Sequence, residues 1–110
     1  MLFKFPKNDK QYHWTSHIKN KMLFYGLGEG KIKTVLKLPN RHEEGIAPNT
    51  FASMKRNDTS KRKEEIWVMY QKHGAKKIMI SAWRYPGTTK PGNPIPIPDD
   101  IYEEIKKVWF

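Results

Sequence analysis

The sequence predicts an α+β domain: two N-terminal helices packed on an antiparallel sheet of about four strands, plus a C-terminal helix. Three observations lead there. Apolar residues recur at helical spacing over 14–36 and again over 101–109. The segments 64–71 and 76–85 are rich in β-formers and alternate between two faces around a short turn. The chain has 110 residues, which suits one domain with one core.

Taken in order, residues 11–15 admit either a short strand or the run-in to a helix. Residues 16–25 read as the first helix, with Trp14, Ile18, Met22 and Tyr25 on one apolar stripe. Thr15 or Ser16 can cap its start, and Gly26 suits the left-handed position after its end. The second helix covers about 29–37. Gly28 serves as its cap, Leu27 staples onto Ile32, and Ile32, Val35 and Leu36 face the core. Pro39-Asn40 stops it.

The middle of the chain is β. Residues 41–46 and 50–56 flank Ala47-Pro48-Asn49, and a polar loop, 57–60, follows. On 64–71, Ile66, Val68 and Tyr70 share one face while Trp67 and Met69 share the other. The turn 72–75 leads into 76–85, with Ile78, Ile80 and Ala82 on one side. Both faces are partly apolar, so the helices can cover one and another element must cover the other.

Residues 86–98 carry five Pro and two Gly and read as an extended linker closing a body of residues 1–98. Asp99 or Asp100 then caps a final helix, 99–110, with Glu103 completing the box. Ile101, Ile105, Val108 and Trp109 form its apolar stripe, which suits packing on its own domain or docking on a partner.

Charge points to a partner. The chain has 21 Lys and Arg against 11 Asp and Glu, for a net charge of +10. Residues 1–98 hold 19 basic and 7 acidic side chains, and residues 99–110 hold 2 and 4. The densest runs are Lys55-Arg56 and Lys61-Arg62-Lys63, with Lys19, Lys21, Lys31, Lys33 and Lys37 on the helices. A solvated surface is one reading of such runs. A phosphate-tracking surface with salt-sensitive affinity is the other. Phe51, Trp67, Tyr70, Trp83 and Tyr85 lie near these runs and can stack on unpaired bases or belong to the core. The opposite sign of the tail suggests self-shielding, so deleting 99–110 is expected to strengthen RNA binding if the fold survives. The chain has no Cys, which excludes disulfides, thiolate metal sites and cysteine nucleophiles. No apolar run approaches the ~20 residues of a spanning helix. The N-terminus has too short an apolar stretch for a signal peptide, so a cytoplasmic location is expected.

Four His are present, at 13, 17, 42 and 73. His42-Glu43-Glu44 is a weak metal pattern. His17 and Lys21 share one helix face beside the apolar stripe. Lys21 disfavours the imidazolium, so the pKa of His17 should drift down. Such a His serves either proton transfer or simple packing. Gly26-Leu27-Gly28-Glu29-Gly30 lacks the context of a phosphate loop and reads as helix punctuation.

The run His17-Ile-Lys-Asn-Lys21-Met22-Leu-Phe-Tyr-Gly26-Leu27 resembles the His-Ala-x-x-Arg-Met-x-x-Arg-Gly-Ile opening of small bacterial and phage domains. These are grouped with the RelE/barnase/EndoU/colicin-like nucleases. Glu65-Ile-Trp-Val and Lys77-Ile-Met-Ile-Ser-Ala-Trp-Arg84 resemble their closing hairpin and the corresponding strand of BrnT-type toxins. The likeness covers about residues 12–86. Lys21 stands where the family has Arg, keeping charge without the planar fork. Phe24-Tyr25 stands where it has a Glu-Arg pair.

The resemblance implies metal-independent RNA cleavage without a cofactor. The 2′-hydroxyl attacks its own phosphorus, its proton goes to a base, and an acid protonates the leaving 5′-oxygen. His17 would be base or acid and Glu44 its counterpart, with Lys21 and Arg84 clamping the phosphate. Arg84 has an alternative role as an ion-pair partner of Glu43 or Glu44. Arg41, Lys55, Arg56, Lys61, Arg62 and Lys63 would track RNA, and Tyr70 or Tyr85 would stack on a base or supply a hydroxyl. A toxin of this kind would have an acidic antitoxin as partner. The alternative is a nucleic-acid-binding domain that keeps the fold without catalysis.

Overall fold

The computed structural model describes residues 3–109, without the side chain of Trp109, so the expected place of Trp109 on the tail stripe falls outside it. The elements run β1 (Tyr12–Trp14), α1 (Ser16–Tyr25), α2 (Glu29–Lys37), β2 (Arg41–Glu44), β3 (Thr50–Arg56), β4 (Glu64–His73), β5 (Lys76–Pro86) and α3 (Asp99–Trp109). The α+β class and the order of helices and sheet are as the sequence predicts. The sheet differs in one respect: it has five strands, ordered β1-β5-β4-β3-β2, and β1 pairs parallel to β5.

That extra strand is three residues long, too short for its alternation to register against a helix lead-in. Local side chains set it up. Asp9 Oδ1 accepts from the backbone N–H of Gln11 and Tyr12 at 2.8 Å, and Asn8 Oδ1 accepts from that of Trp14 at 2.6 Å. Thr15 then caps α1, its Oγ accepting from Ile18 N at 3.2 Å, and Gly26 ends the helix at φ 68°. Beyond Gly26, Leu27 is buried with Ile32 and Val35 in the same cluster. The two-helix crossover brings the chain to the far edge of the sheet, and β2 to β5 return as a meander.

The sheet has an apolar cluster on each face. Ile18, Met22, Leu27, Ile32 and Val35 pack on Ile66, Val68, Met79 and Ala82. On the other face, Ile101 and Ile105 of α3 pack on Ala52, Met54, Trp67, Met69, Ile80 and Trp83. The tail helix therefore packs on its own domain. Its stripe is narrower than expected, because Val108 is 72 % exposed. Asp99 and Asp100 lie inside its first turn, so neither is its cap; Pro98 precedes them.

A bulge corrects the facing of β5. Tyr70 pairs with Met79 and Met69 with Ser81, leaving Ile80 extra. Met79 and Ala82 therefore face α1 and α2, while Ile80 joins Trp83 on the α3 side. Ile78, Ile80 and Ala82 do not share a face, since simple alternation fails across one inserted residue. Strand β2 stops at Glu44 rather than 46, and β4 extends to His73.

Residues 86–98 are extended but not loose. Ile95 and Ile97 pack against the second cluster. Thr89 N and Oγ donate to the buried carboxylate of Glu65 at 2.6 and 2.9 Å. This strap and α3 together close the second face. Among the described residues, no helix is long and apolar enough to cross a membrane.

Candidate nucleic-acid interface

His17 and Lys21 sit one turn apart on α1, where β1 has ended and α3 comes alongside. His17 Nε2 lies 2.8 Å from Ser81 Oγ, and His17 Nδ1 lies 2.5 Å from Glu104 Oε2. A carboxylate only accepts, so Nδ1 carries the proton and donates to Glu104, and Nε2 accepts from the Ser81 hydroxyl. Burial pushes the imidazole pKa below its ordinary value and outweighs the upward pull of Glu104. The ring is thus neutral near pH 7. Lys21 Nζ lies 3.0 Å from Asp100 Oδ2 and 3.7 Å from Glu104 Oε1. Burial opposes its charge, but Asp100 and Glu104 together carry its pKa upward. The bond from Lys21 in turn holds the Asp100 carboxyl below its usual range.

Two groups that suit a phosphate are therefore occupied by two carboxylates of the tail. Both ring nitrogens of His17 are engaged, one with a fully buried serine. A groove of about 420 Å³ adjoins them, lined by Thr15, His17, Glu104, Ile105, Lys107 and Val108.

The other expected cleavage residues lie elsewhere. Arg84 Nε donates to the Tyr25 carbonyl at 2.8 Å and Nη1 to Glu64 at 2.9 Å. Its ion-pair partner is Glu64, a diagonal neighbour on the adjoining strand, rather than Glu43 or Glu44. Glu44 stands on β2, with β3 and β4 between it and β5, about 14 Å across at ordinary strand spacing. It lines a different depression together with Glu43, Asp99 and Tyr102. His17 and Lys21 come together; Glu44 and Arg84 do not join them.

Two arginines expected on RNA are built into the fold. Arg41 has only 1 % of its side chain exposed. It pairs with Glu43 at 2.8 Å, donates to Thr89 Oγ1 and the Asn93 carbonyl, and lies over the Trp67 ring at 4.9 Å. Arg56 binds Asp58, Glu65 at 2.9 Å and the Gly87 carbonyl. Both fasten the strap to the sheet. Lys55 Nζ reaches the Leu38 carbonyl at 3.0 Å. Lys61, Arg62 and Lys63 are exposed, and among the described residues only Lys63 nears a carboxylate, that of Asp58 at 3.8 Å. Tyr70 is buried, with its hydroxyl 3.2 Å from His42 Nε2. Tyr85 packs half-buried on the second cluster.

No protein-family model, curated protein or solved structure matches the chain. Among the described residues, no group of three or more His, Asp or Glu side chains is placed to hold a metal ion.

Ser81, Asp100 and Glu104 carry no signal in the sequence toward His17, being 64 to 87 residues away from it. A second feature did have a signal. The turn Lys72-His73-Gly74-Ala75-Lys76-Lys77 gathers three lysines and a histidine within six residues, and reading it as punctuation alone passes over its charge.

Proposed function

We propose that the protein binds RNA through an uncompensated basic surface and has no preassembled cleavage centre. The observation that carries this reading is how the charges divide. Glu29, Glu43, Asp58, Glu64, Glu65, Asp100 and Glu104 are held in ion pairs with Lys21, Lys33, Arg41, Arg56, Lys63 and Arg84, besides His17. Among the described residues, seven of the 11 acids and six of the 21 bases are thereby used, leaving four acids against fifteen bases. Folding concentrates the positive excess on the outside, which suits a polyanion.

A second reading, metal-independent ribonuclease of the toxin kind, is favoured by the Glu104–His17–Ser81 chain with Lys21 beside it. It requires the His17 ring to turn, because Nε2, its accepting nitrogen, faces Ser81 of β5 while Glu104 of α3 holds Nδ1. In that reading His17 takes the 2′-hydroxyl proton, Lys21 holds the phosphate, and an acidic antitoxin is the natural partner.

The test incubates the protein with mixed RNA in chelator and measures binding and cleavage together. Intact RNA, bound with an affinity that falls steeply as salt rises, is expected. Cleavage lost in His17→Ala moves the conclusion to the second reading. Binding insensitive to salt overturns the electrostatic argument in both.

A further inference from the structure

We propose that the β4–β5 hairpin tip and the adjoining rings of His42 and Phe51 form a site for an unpaired stretch of RNA. One base stacks on His42, and the phosphates of neighbouring nucleotides meet Lys72 and Lys77. The proposal rests on the RNA-binding reading and assigns it a place.

Two independent features converge there. The first is charge. Lys72 pairs directly across from Lys77, and His73 across from Lys76. Like charges facing each other across a ladder are destabilising. None of these four side chains has an ion-pair partner among the described residues. Asp9 does feel Lys76, but its carboxyl is drawn down chiefly by its bonds to the Tyr12 and Gln11 amides and only lastly by that lysine. Asp9 is thus committed to β1. The fold keeps a cationic tip at its own expense, which makes sense if an anion completes it.

The second feature is a row of rings on the face that carries α1 and α2. Phe51 of β3 stands opposite Tyr70 of β4, their centroids 5.8 Å apart. His42 of β2 lies nearly parallel to Phe51, at 5.4 Å and 14°. Its Nε2 bonds to the Tyr70 hydroxyl at 3.2 Å, which fixes the ring plane. Lys77 Nζ sits 5.9 Å from the Tyr70 centroid, so the row ends on a cation. Tyr70 is buried, Phe51 half-buried and His42 exposed. His42 is thus the outermost ring of a supported stack, held in place before any base arrives.

The ligand follows from this chemistry. A base can lie on His42 only if it is unpaired and unstacked, which favours a single strand over a duplex. The His42 and Tyr70 centroids are 6.5 Å apart and Lys77 Nζ lies a further 5.9 Å from Tyr70, a reach that suits a few nucleotides rather than one. Glu44 is in register with Phe51 on β2. Its charge repels phosphate from that end, leaving the base to His42 and the phosphates to Lys72 and Lys77.

The test measures fluorescence anisotropy of a labelled oligouridine and of an abasic strand of equal length. His42 is exposed, so His42→Ala should keep the fold, which its urea midpoint verifies. It should weaken oligouridine binding by about 5- to 150-fold, the range for loss of one stacked base, without changing the salt slope. Abasic binding should not change. His42→Trp, which keeps a stacking surface, should restore affinity. Lys72→Ala/Lys77→Ala should weaken both strands and reduce the salt slope by about 1.4, for two phosphates at about 0.7 each. Wild-type protein that binds RNA with salt sensitivity, while these variants bind equally well, overturns the site and leaves the RNA reading standing. Wild-type protein that binds neither strand overturns the RNA reading itself. An acidic peptide that displaces oligouridine from wild type and from His42→Ala with equal ease overturns the stacking role.

Discussion

Glu104 of α3 holds Nδ1 of His17 on α1 at 2.5 Å, and this bond joins two helices that lie on opposite faces of the sheet. It forms where β1 has ended, so nothing separates the helices along that side. Burial lowers the pKa of His17 while Glu104 raises it, and burial prevails. Replacing Glu104 by Gln keeps the cover and an accepting oxygen but removes the charge. The imidazole pKa should then fall further, as read by NMR titration. An unchanged or higher midpoint would show that the contact is not made in solution.

The same histidine makes stability depend on pH. Its pKa in the folded chain lies below the unfolded value of about 6.5. Below that value the unfolded chain binds a proton that the folded chain resists. Stability is therefore full above pH ~6.5 and declines as pH falls through the folded-state pKa. Asp100, Asp58 and Glu43 add a second loss at lower pH, since their carboxyls are held below the usual range by Lys21, by Arg56, and by the Gly92 amide with Arg41, respectively. Urea midpoints should decline between pH 7.5 and 5, and less so in His17→Gln. A variant that tracks the wild type across this range would remove His17 as the cause.

Arg41 should matter to stability rather than to RNA. Its guanidinium is enclosed by Glu43, Thr89, the Asn93 carbonyl and the Trp67 ring. Removing it takes the guanidinium from the partly exposed Glu43 and releases the strap, a loss of about 1–3 kcal/mol. Arg41→Ala should show that loss in urea unfolding, with faster proteolysis within 86–98. Arg41→Lys should recover little, because an ammonium cannot serve all these partners at once. A loss under ~1 kcal/mol would contradict the arrangement.

Local signals explain which parts of this fold were legible in the sequence. Thr15, Gly26 and the Ile18–Met22 spacing delimit α1 because capping and periodicity act within one or two turns. The β4–β5 hairpin was legible for the same reason. The bulge at Ile80 was not, since it depends on what β4 and α3 require of β5 together. The candidate site was half legible. His17 and Lys21 are neighbours on one helix, but their partners come from β5 and α3. Arg41 and Arg56 read as an RNA-tracking surface because their partners, though in part close in sequence, enclose them only once the strap is in place.

Asp100 and Glu104 of the tail cover Lys21 and His17, and truncation cannot test what that cover does. Ile101 and Ile105 are buried against Trp67 and Trp83, so removing 99–110 uncovers the second core. Ile105→Ala alone should cost about 2–5 kcal/mol. Deletion is therefore expected to unfold the domain, so the condition for stronger RNA binding, a surviving fold, is not met. Shielding is separable from packing because Asp100 and Glu104 point to Lys21 and His17 while the isoleucines point to the sheet. Asp100→Asn/Glu104→Gln keeps Ile101 and Ile105 and frees the Lys21 ammonium. Affinity for single-stranded RNA should rise, with the salt slope steeper by about 0.7 for one added phosphate contact. A folded double variant with unchanged affinity and slope would mean that Lys21 faces no RNA, and that the two carboxylates serve only to fasten α3 to α1.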